Sequence, residues 1–153
     1  MKPLETTVRE VLHDAIAAEI ESRQFLTKLA ERAGTEEVRM RLLALADEEI
    51  SHRAKLEKRY REAVGQQPPE VMAPTVELPV DLWDLDMRRA LKIVLERERD
   101  AESNFRFMAE RAQTGMLRSL FLELAEFEWK HKVAIQNEYD SFAEDPDAFF
   151  RDM

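Results

Sequence analysis

Four stretches of the chain place apolar residues at helical spacing, and acids interrupt each stretch near its middle. The first stripe reads Leu12, Ala15, Ile16, then Glu19, then Ser22, Leu26 and Leu29. The second reads Leu42, Leu45, Ala46, then Glu49 and His52, then Leu56. The third reads Leu91, Val94, Leu95, then Glu98, then Ala101, Phe105 and Met108. The fourth reads Leu117, Phe121, Leu124, Ala125, then Glu128 and His131, then Ile135. Recurrence at i, i+3, i+4 and i+7 marks the core-facing surface of a helix. The pattern therefore predicts four helices: Thr7 to about Ala33, Thr35 to about Val64, about Asp86 to Ala112, and from the Thr114-Gly115 turn to about Phe142.

The punctuation agrees with these bounds. Thr7-x-x-Glu10 reads as a capping box, and Gly34 as a C-terminal cap. Thr35 opens the second helix, with Glu36 and Glu37 in its first turn where the helix dipole favours acids. Residues 65–85 change character: Gly65, Pro68, Pro69, Pro74 and Pro79 break helix and mark a connection. It is long enough to run the length of a bundle, and Val76, Leu78, Val80, Leu82 and Trp83 are expected to lay it against the helices. The tail, 143–153, is expected to be a short docked or frayed end.

The second half of the chain echoes the first. Shifted by 79 positions, residues 7–64 overlay residues 86–143 without a gap. Glu49-Ile50-Ser51-His52 falls on Glu128-Trp129-Lys130-His131, and Glu19 falls on Glu98. The expected domain is thus a single bundle over 1–153, built from two helical hairpins joined by the connection 65–85. Glu and His three residues apart share one helix face, so both can point at one spot. Two such pairs, plus one Glu from each of two other helices, make the ligand set of a carboxylate-bridged two-metal centre in a four-helix bundle. The candidate ligands are Glu19, Glu49, His52, Glu98, Glu128 and His131.

Charge balance favours the same reading. Four uncompensated buried carboxylates would each cost several kcal/mol or take up protons. Two divalent ions neutralise four carboxylates, and two neutral imidazoles complete the set. Oxygen and imidazole donors suit iron or manganese. The bland alternative is a self-satisfied network of acids and imidazoles, which is hard to satisfy in full. His13 stands outside the pattern, since the echo places Lys92 opposite it, and reads as a surface or connection-facing residue.

Composition narrows the partners. The chain has 153 residues, a net charge of -9 and no Cys. The acidity argues against nucleic acid and against an anionic membrane surface. The lack of Cys removes disulfides, zinc ribbons and thiolate nucleophiles. No segment approaches the roughly 20 apolar residues of a membrane span, and the first residues lack a signal-peptide run. A cytoplasmic location is expected.

With these residues in place, the chain resembles the rubrerythrin and ferritin-like di-iron carboxylate superfamily. The resemblance rests on Glu19, Glu49-x-x-His52, Glu98 and Glu128-x-x-His131. It implies an all-α, ferritin-like four-helix bundle with a long crossover between helices two and three. It implies that Glu49 and Glu128 bridge two iron ions, that His52 and His131 each hold one, and that Glu19 and Glu98 are terminal. Manganese or mixed metals are the alternatives. The implied activity is reduction of hydrogen peroxide or dioxygen, with the metals supplying electrons and the protein supplying geometry.

Several positions depart from the family pattern. Without Cys there is no rubredoxin-like module, so the electron donor is expected to be a separate protein. An additional Glu expected one turn after the third-helix ligand is Ala101 here, and Glu102 is read as pointing about 100° away from that position. Tyrosines expected near the centre are Leu26 and Phe105, and Ile50 replaces a haem-binding Met, so no haem is expected. Dimerisation through the first two helices is expected, with Phe25, Met40, Leu43 and Tyr60 as candidate surface. The leading function is a di-iron oxidoreductase of rubrerythrin type. The alternatives are a ferroxidase or iron-binding protein, and a structural bundle with a non-catalytic metal site.

Overall fold

The computed structural model describes residues 7–72 and 75–144, side chains of 141–144 excepted. It is all-α: α1 (Val8–Glu31), α2 (Glu36–Val64), α3 (Met87–Glu110) and α4 (Gly115–Glu144), with no strand among the described residues. The chain divides into two compact units at Asp86/Met87, so each unit holds one helical hairpin. None of the described helices is long and apolar enough to cross a membrane.

In the first unit, threonines start both helices as their sequence positions predict. The Thr7 hydroxyl accepts from the Glu10 N–H at 3.1 Å, and the Thr35 hydroxyl from the Val38 N–H at 3.3 Å. Each satisfies one of the N–H groups that a helix start leaves without an internal partner. α1 and α2 then pack antiparallel across the short turn 32–35. Leu12, Ile16, Leu29, Val38 and Leu42 are all at most 1% exposed. Full burial of such side chains stabilises by roughly 1.5–3 kcal/mol each.

Gly34 does not cap α1. The cap is Arg32, whose N–H donates to the Leu29 carbonyl at 2.9 Å. Gly34 instead pairs with the connection, donating to the Leu85 carbonyl at 3.0 Å, while the Leu85 N–H donates to the Arg32 carbonyl at 3.0 Å. A Cβ at Gly34 would lie 3.3 Å from the Asp84 backbone, so the residue is small because another chain segment passes there. The helix-ending glycine of this hairpin is Gly65, at φ +76° in the left-handed region.

The connection runs the length of α1. It leaves near the start of α1, where Arg9 reaches Gln66, and passes Gln24 and Lys28, which bond the backbone of Val76. Arg32 then holds the carbonyls of Pro79 and Leu82 at 3.0 and 2.9 Å. The expected crossover is therefore present, but two of its expected anchors are not. Val80 is 85% exposed and Trp83 59%, the latter lying under the Arg32 guanidinium at 4.4 Å. Leu85, fully buried, and Val71, also buried, are apolar anchors instead. Two residues proposed for a dimer surface, Phe25 and Tyr60, are also buried in the chain. Met40 is exposed and Leu43 half-buried.

The second unit repeats the plan. Thr114 caps α4 by accepting from the Leu117 N–H at 3.2 Å, and Gly115 is the first helical residue. Leu91, Val94 and Leu95 on α3, and Leu117, Leu120, Phe121 and Leu124 on α4, are buried. α4 extends to Glu144, two residues past its expected end, and the tail from 145 onward lies outside the described residues.

Candidate metal centre

The apolar stripes carry the acids inward with them. α1 buries Glu19, and α2 buries Glu49 and His52. α3 buries Glu98, and α4 carries Glu128, which is buried, and His131, which is half-buried. All six sequence-predicted residues thus face inward in their own hairpin.

Each hairpin brings its three together in the same way. In the first, His52 Nδ1 lies 3.8 Å from a Glu19 oxygen and 3.6 Å from a Glu49 oxygen. In the second, His131 Nδ1 lies 3.8 Å from a Glu98 oxygen and 3.7 Å from a Glu128 oxygen. The sequence echo is therefore also an echo of geometry to within 0.1 Å. These separations exceed a hydrogen bond. They fit donors sharing an ion, because two atoms each held at about 2.0–2.2 Å from one metal cannot be more than about 4.4 Å apart. In the second hairpin, donor atoms of Glu98, Glu128 and His131 all lie within 4.8 Å of one another.

Without a metal the second half-site holds protons. Burial drives the Glu98 carboxyl up to about 7, and the Glu128 carboxylate adds to the rise, while the His131 imidazole opposes it. Burial pulls His131 down, but the carboxylates of Glu128 and Glu98 outweigh it and hold the imidazole up at about 9. A half-site that keeps its protons above the pH at which both groups ordinarily release them is one that a cation can occupy in their place. The donor set, buried carboxylates with one imidazole per hairpin, fits a divalent ion of the iron or manganese type.

Two neighbours of the site carry weaker sequence signals. Glu102, expected to turn away, is 8% exposed and lies one turn beyond Glu98. Its carboxylate accepts from Lys132 on α4 and from Arg106 at 3.0 Å. Burial pushes its pKa up, but these two cations outweigh that and hold it below the usual carboxylate range. The signal for it is the i+4 spacing from Glu98, which keeps a residue on the same stripe as i+3 does. Phe127, which reads from sequence as general core or partner surface, meets the His131 ring edge-on at a centroid distance of 4.6 Å. It packs against that imidazole from its own helix.

Residues 10–79, which span α1, α2 and most of the connection, match the family model described as Rubrerythrin. The first half of the chain is rubrerythrin-like. The superfamily resemblance read from Glu19 and the Glu49/His52 pair is thereby borne out. Among solved structures, the chain is similar to a hypothetical protein from Pyrococcus furiosus, at 25% identity and a TM-score of 0.55. The match covers 90% of this chain and 91% of that one. No curated protein matches the chain. Together with the Glu/His group of the second hairpin, the family match supports a di-iron carboxylate type of protein.

Proposed function

We propose that the two hairpins close into one bundle and that their half-sites form a single Glu4His2 centre for two iron ions. In it, the protein reduces hydrogen peroxide or dioxygen in the manner of a rubrerythrin. The observation that carries this reading is the duplicated triad: one lone Glu and one Glu-x-x-His pair per hairpin, at matching distances and in the same register, with all four carboxylates buried.

Glu49 and Glu128 would hold both ions in this proposal, and Glu19 and Glu98 would each hold one. His52 and His131, whose Nδ1 atoms face the carboxylates, would each add an imidazole donor. When bound, two ferrous ions supply the two electrons that reduction of peroxide needs. The chain's own work is positional. The helices hold six donors in place before metal arrives, and burial keeps bulk water from them. Phe127 packs against the His131 ring, and Lys132 and Arg106 keep Glu102 ionised and occupied, so it does not compete as a seventh donor. Electrons return from a separate donor protein. A second copy of the chain is the proposed partner, over the face that carries Met40.

The test is to load the protein with Fe(II) under anaerobic conditions and follow the loss of Fe(II) after adding hydrogen peroxide or air. Oxidation faster with peroxide, ending at the bound iron, supports the peroxidase reading. Faster reaction with air and continued iron uptake supports a ferroxidase. Oxidation no faster than that of free Fe(II) in both cases overturns the redox proposal.

A further inference from the structure

The first hairpin contains a cavity of about 440 Å³, lined by Glu19, Ile20, Arg23, Gln24 and Thr27 of α1 and by Glu49, Ile50 and Arg53 of α2. Its volume falls within the range of small-molecule sites. Its lining includes two buried carboxylates of the candidate centre, Glu19 and Glu49, together with exposed Arg23 and Ile50.

The two arginines stand at equivalent places. Arg23 follows Glu19 by four residues and Arg53 follows Glu49 by four, so each guanidinium starts about one turn, or roughly 6 Å, beyond a carboxylate on its own helix. Neither is held by a hydrogen-bonded carboxylate. Among the described residues, Arg23 makes no ion pair, and the nearest carboxylate oxygen to Arg53 is that of Glu57, 3.7 Å from Nε. That distance is beyond a hydrogen bond, and Arg53 Nε is buried without a hydrogen-bond partner. The Arg53 side chain as a whole is 42% exposed, so Nε is the one donor that a ligand in the cavity would complete.

The second hairpin shows what the same positions look like when they are satisfied internally. The echo places Glu102 at the position of Arg23, Lys132 at that of Arg53 and Arg106 at that of Thr27. There Glu102 accepts from both cations. The first hairpin also has two cations, but an arginine stands where the second has the acid, and Thr27 where it has Arg106. Two such arginines on adjacent helices, with no acid at the position that Glu102 fills in the second hairpin, suit an anion supplied from outside.

We propose that Arg23 and Arg53 form a binding site for a small oxyanion, a phosphate or a carboxylate, in the cavity that Glu19 and Glu49 also line. The planar guanidinium forks suit two oxygens of such a group. The site stands on the first hairpin alone. Only its role, holding an anionic reactant or modulator one turn from the metals, rests on the two-metal reading. Because Glu19 and Glu49 repel an anion when uncompensated, binding is tighter in the metal-loaded chain.

The experiment is calorimetric titration of the full chain with inorganic phosphate and, separately, with succinate. It is run on metal-free and Mn(II)-loaded protein, with Mn(II) content measured independently. The proposal expects one saturable anion site, weakened at least tenfold by Arg23→Ala and by Arg53→Ala but not by Lys55→Ala, an exposed cation outside the cavity. Arg53→Lys, which keeps the charge but not the fork, should fall between, and circular dichroism confirms that each variant is folded. The stronger of the two anions identifies the class. Saturable binding that ignores both arginines overturns the proposal; where it appears only in the Mn(II)-loaded chain, the anion sits on the metal itself and the two-metal reading is intact. Binding that never saturates and vanishes with salt also overturns it. Arginine-dependent binding in a chain that takes up no Mn(II) keeps the anion site and removes the metal reading.

Discussion

Raising the pH of the metal-free chain from about 5.5 to about 9 should lower its stability, because the second half-site keeps protons that the unfolded chain releases. Glu98 titrates at 4.5 in the ordinary state and at about 7 when folded, chiefly because it is buried. Between those values the folded chain binds more protons. The stability is present below 4.5 and is lost as pH rises through about 7. Such a displacement corresponds to roughly 3 kcal/mol. His131 moves in the same direction, from 6.5 to about 9, held there by the Glu128 and Glu98 carboxylates against the opposing effect of burial. Its contribution is fully present below 6.5 and is lost as pH rises through about 9, again roughly 3 kcal/mol. The two groups share carboxylates, so the total falls between about 3 and 6 kcal/mol. Urea unfolding of chelator-treated protein, followed by circular dichroism at several pH values, measures it. Glu98→Gln should flatten the slope below neutral pH and shrink the part due to His131. A wild-type stability that is constant or rises over this window, or a Glu98→Gln variant with an unchanged slope, would refute the reasoning.

Three further outcomes follow from single contacts. Gly34→Ala should destabilise by about 1 kcal/mol, because the new Cβ meets the Asp84 backbone at 3.3 Å where no flexible side chain can yield; a thermal melt unchanged from wild type contradicts this. Leu42→Ala, at a fully buried position, should cost about 3 kcal/mol in urea unfolding. Lys132→Ala leaves Glu102 with Arg106 as its remaining cation and should cost about 1 kcal/mol. The Glu102→Gln/Lys132→Met pair should recover part of that loss, and no recovery would mean that the ion pair is not what Lys132 contributes.

The main features of the fold are legible in the sequence because periodicity, caps and repeat all point the same way. Thr7, Thr35 and Thr114 sit where helices start, and the stripes that carry Leu12, Ile16 and Leu91 are buried. The six candidate ligands are legible because an acid in the middle of a buried stripe demands a cation or a proton, and the echo supplies each of the three positions twice. What the sequence hides depends on contacts between segments far apart in the chain. Gly34 looks like a helix cap by local rules, and only the passage of Asp84 and Leu85 beside it gives its real reason. Trp83 and Val80 look like anchors by hydropathy, yet the backbone hydrogen bonds to Arg32 and Gly34 place Leu85 inward instead. Glu102 points outward only if i+3 is taken as the single inward position, although i+4 lies on the same stripe. The unlike fillings of the two echoed positions, arginine in one hairpin and a glutamate–lysine pair in the other, become meaningful only once the cavity beside Glu19 and Glu49 is seen.

The most direct test of the central claim is metal content. Wild type, Glu49→Ala and Glu128→Ala should be loaded anaerobically with Fe(II), freed of excess ion, and assayed for metal per chain alongside thermal stability. The account predicts about two ions per wild-type chain, a marked gain in melting temperature on loading, and loss of metal in both variants, as expected for a site of four carboxylates and two imidazoles. A wild-type chain that binds no metal, or binds it as well after either substitution, would contradict the account.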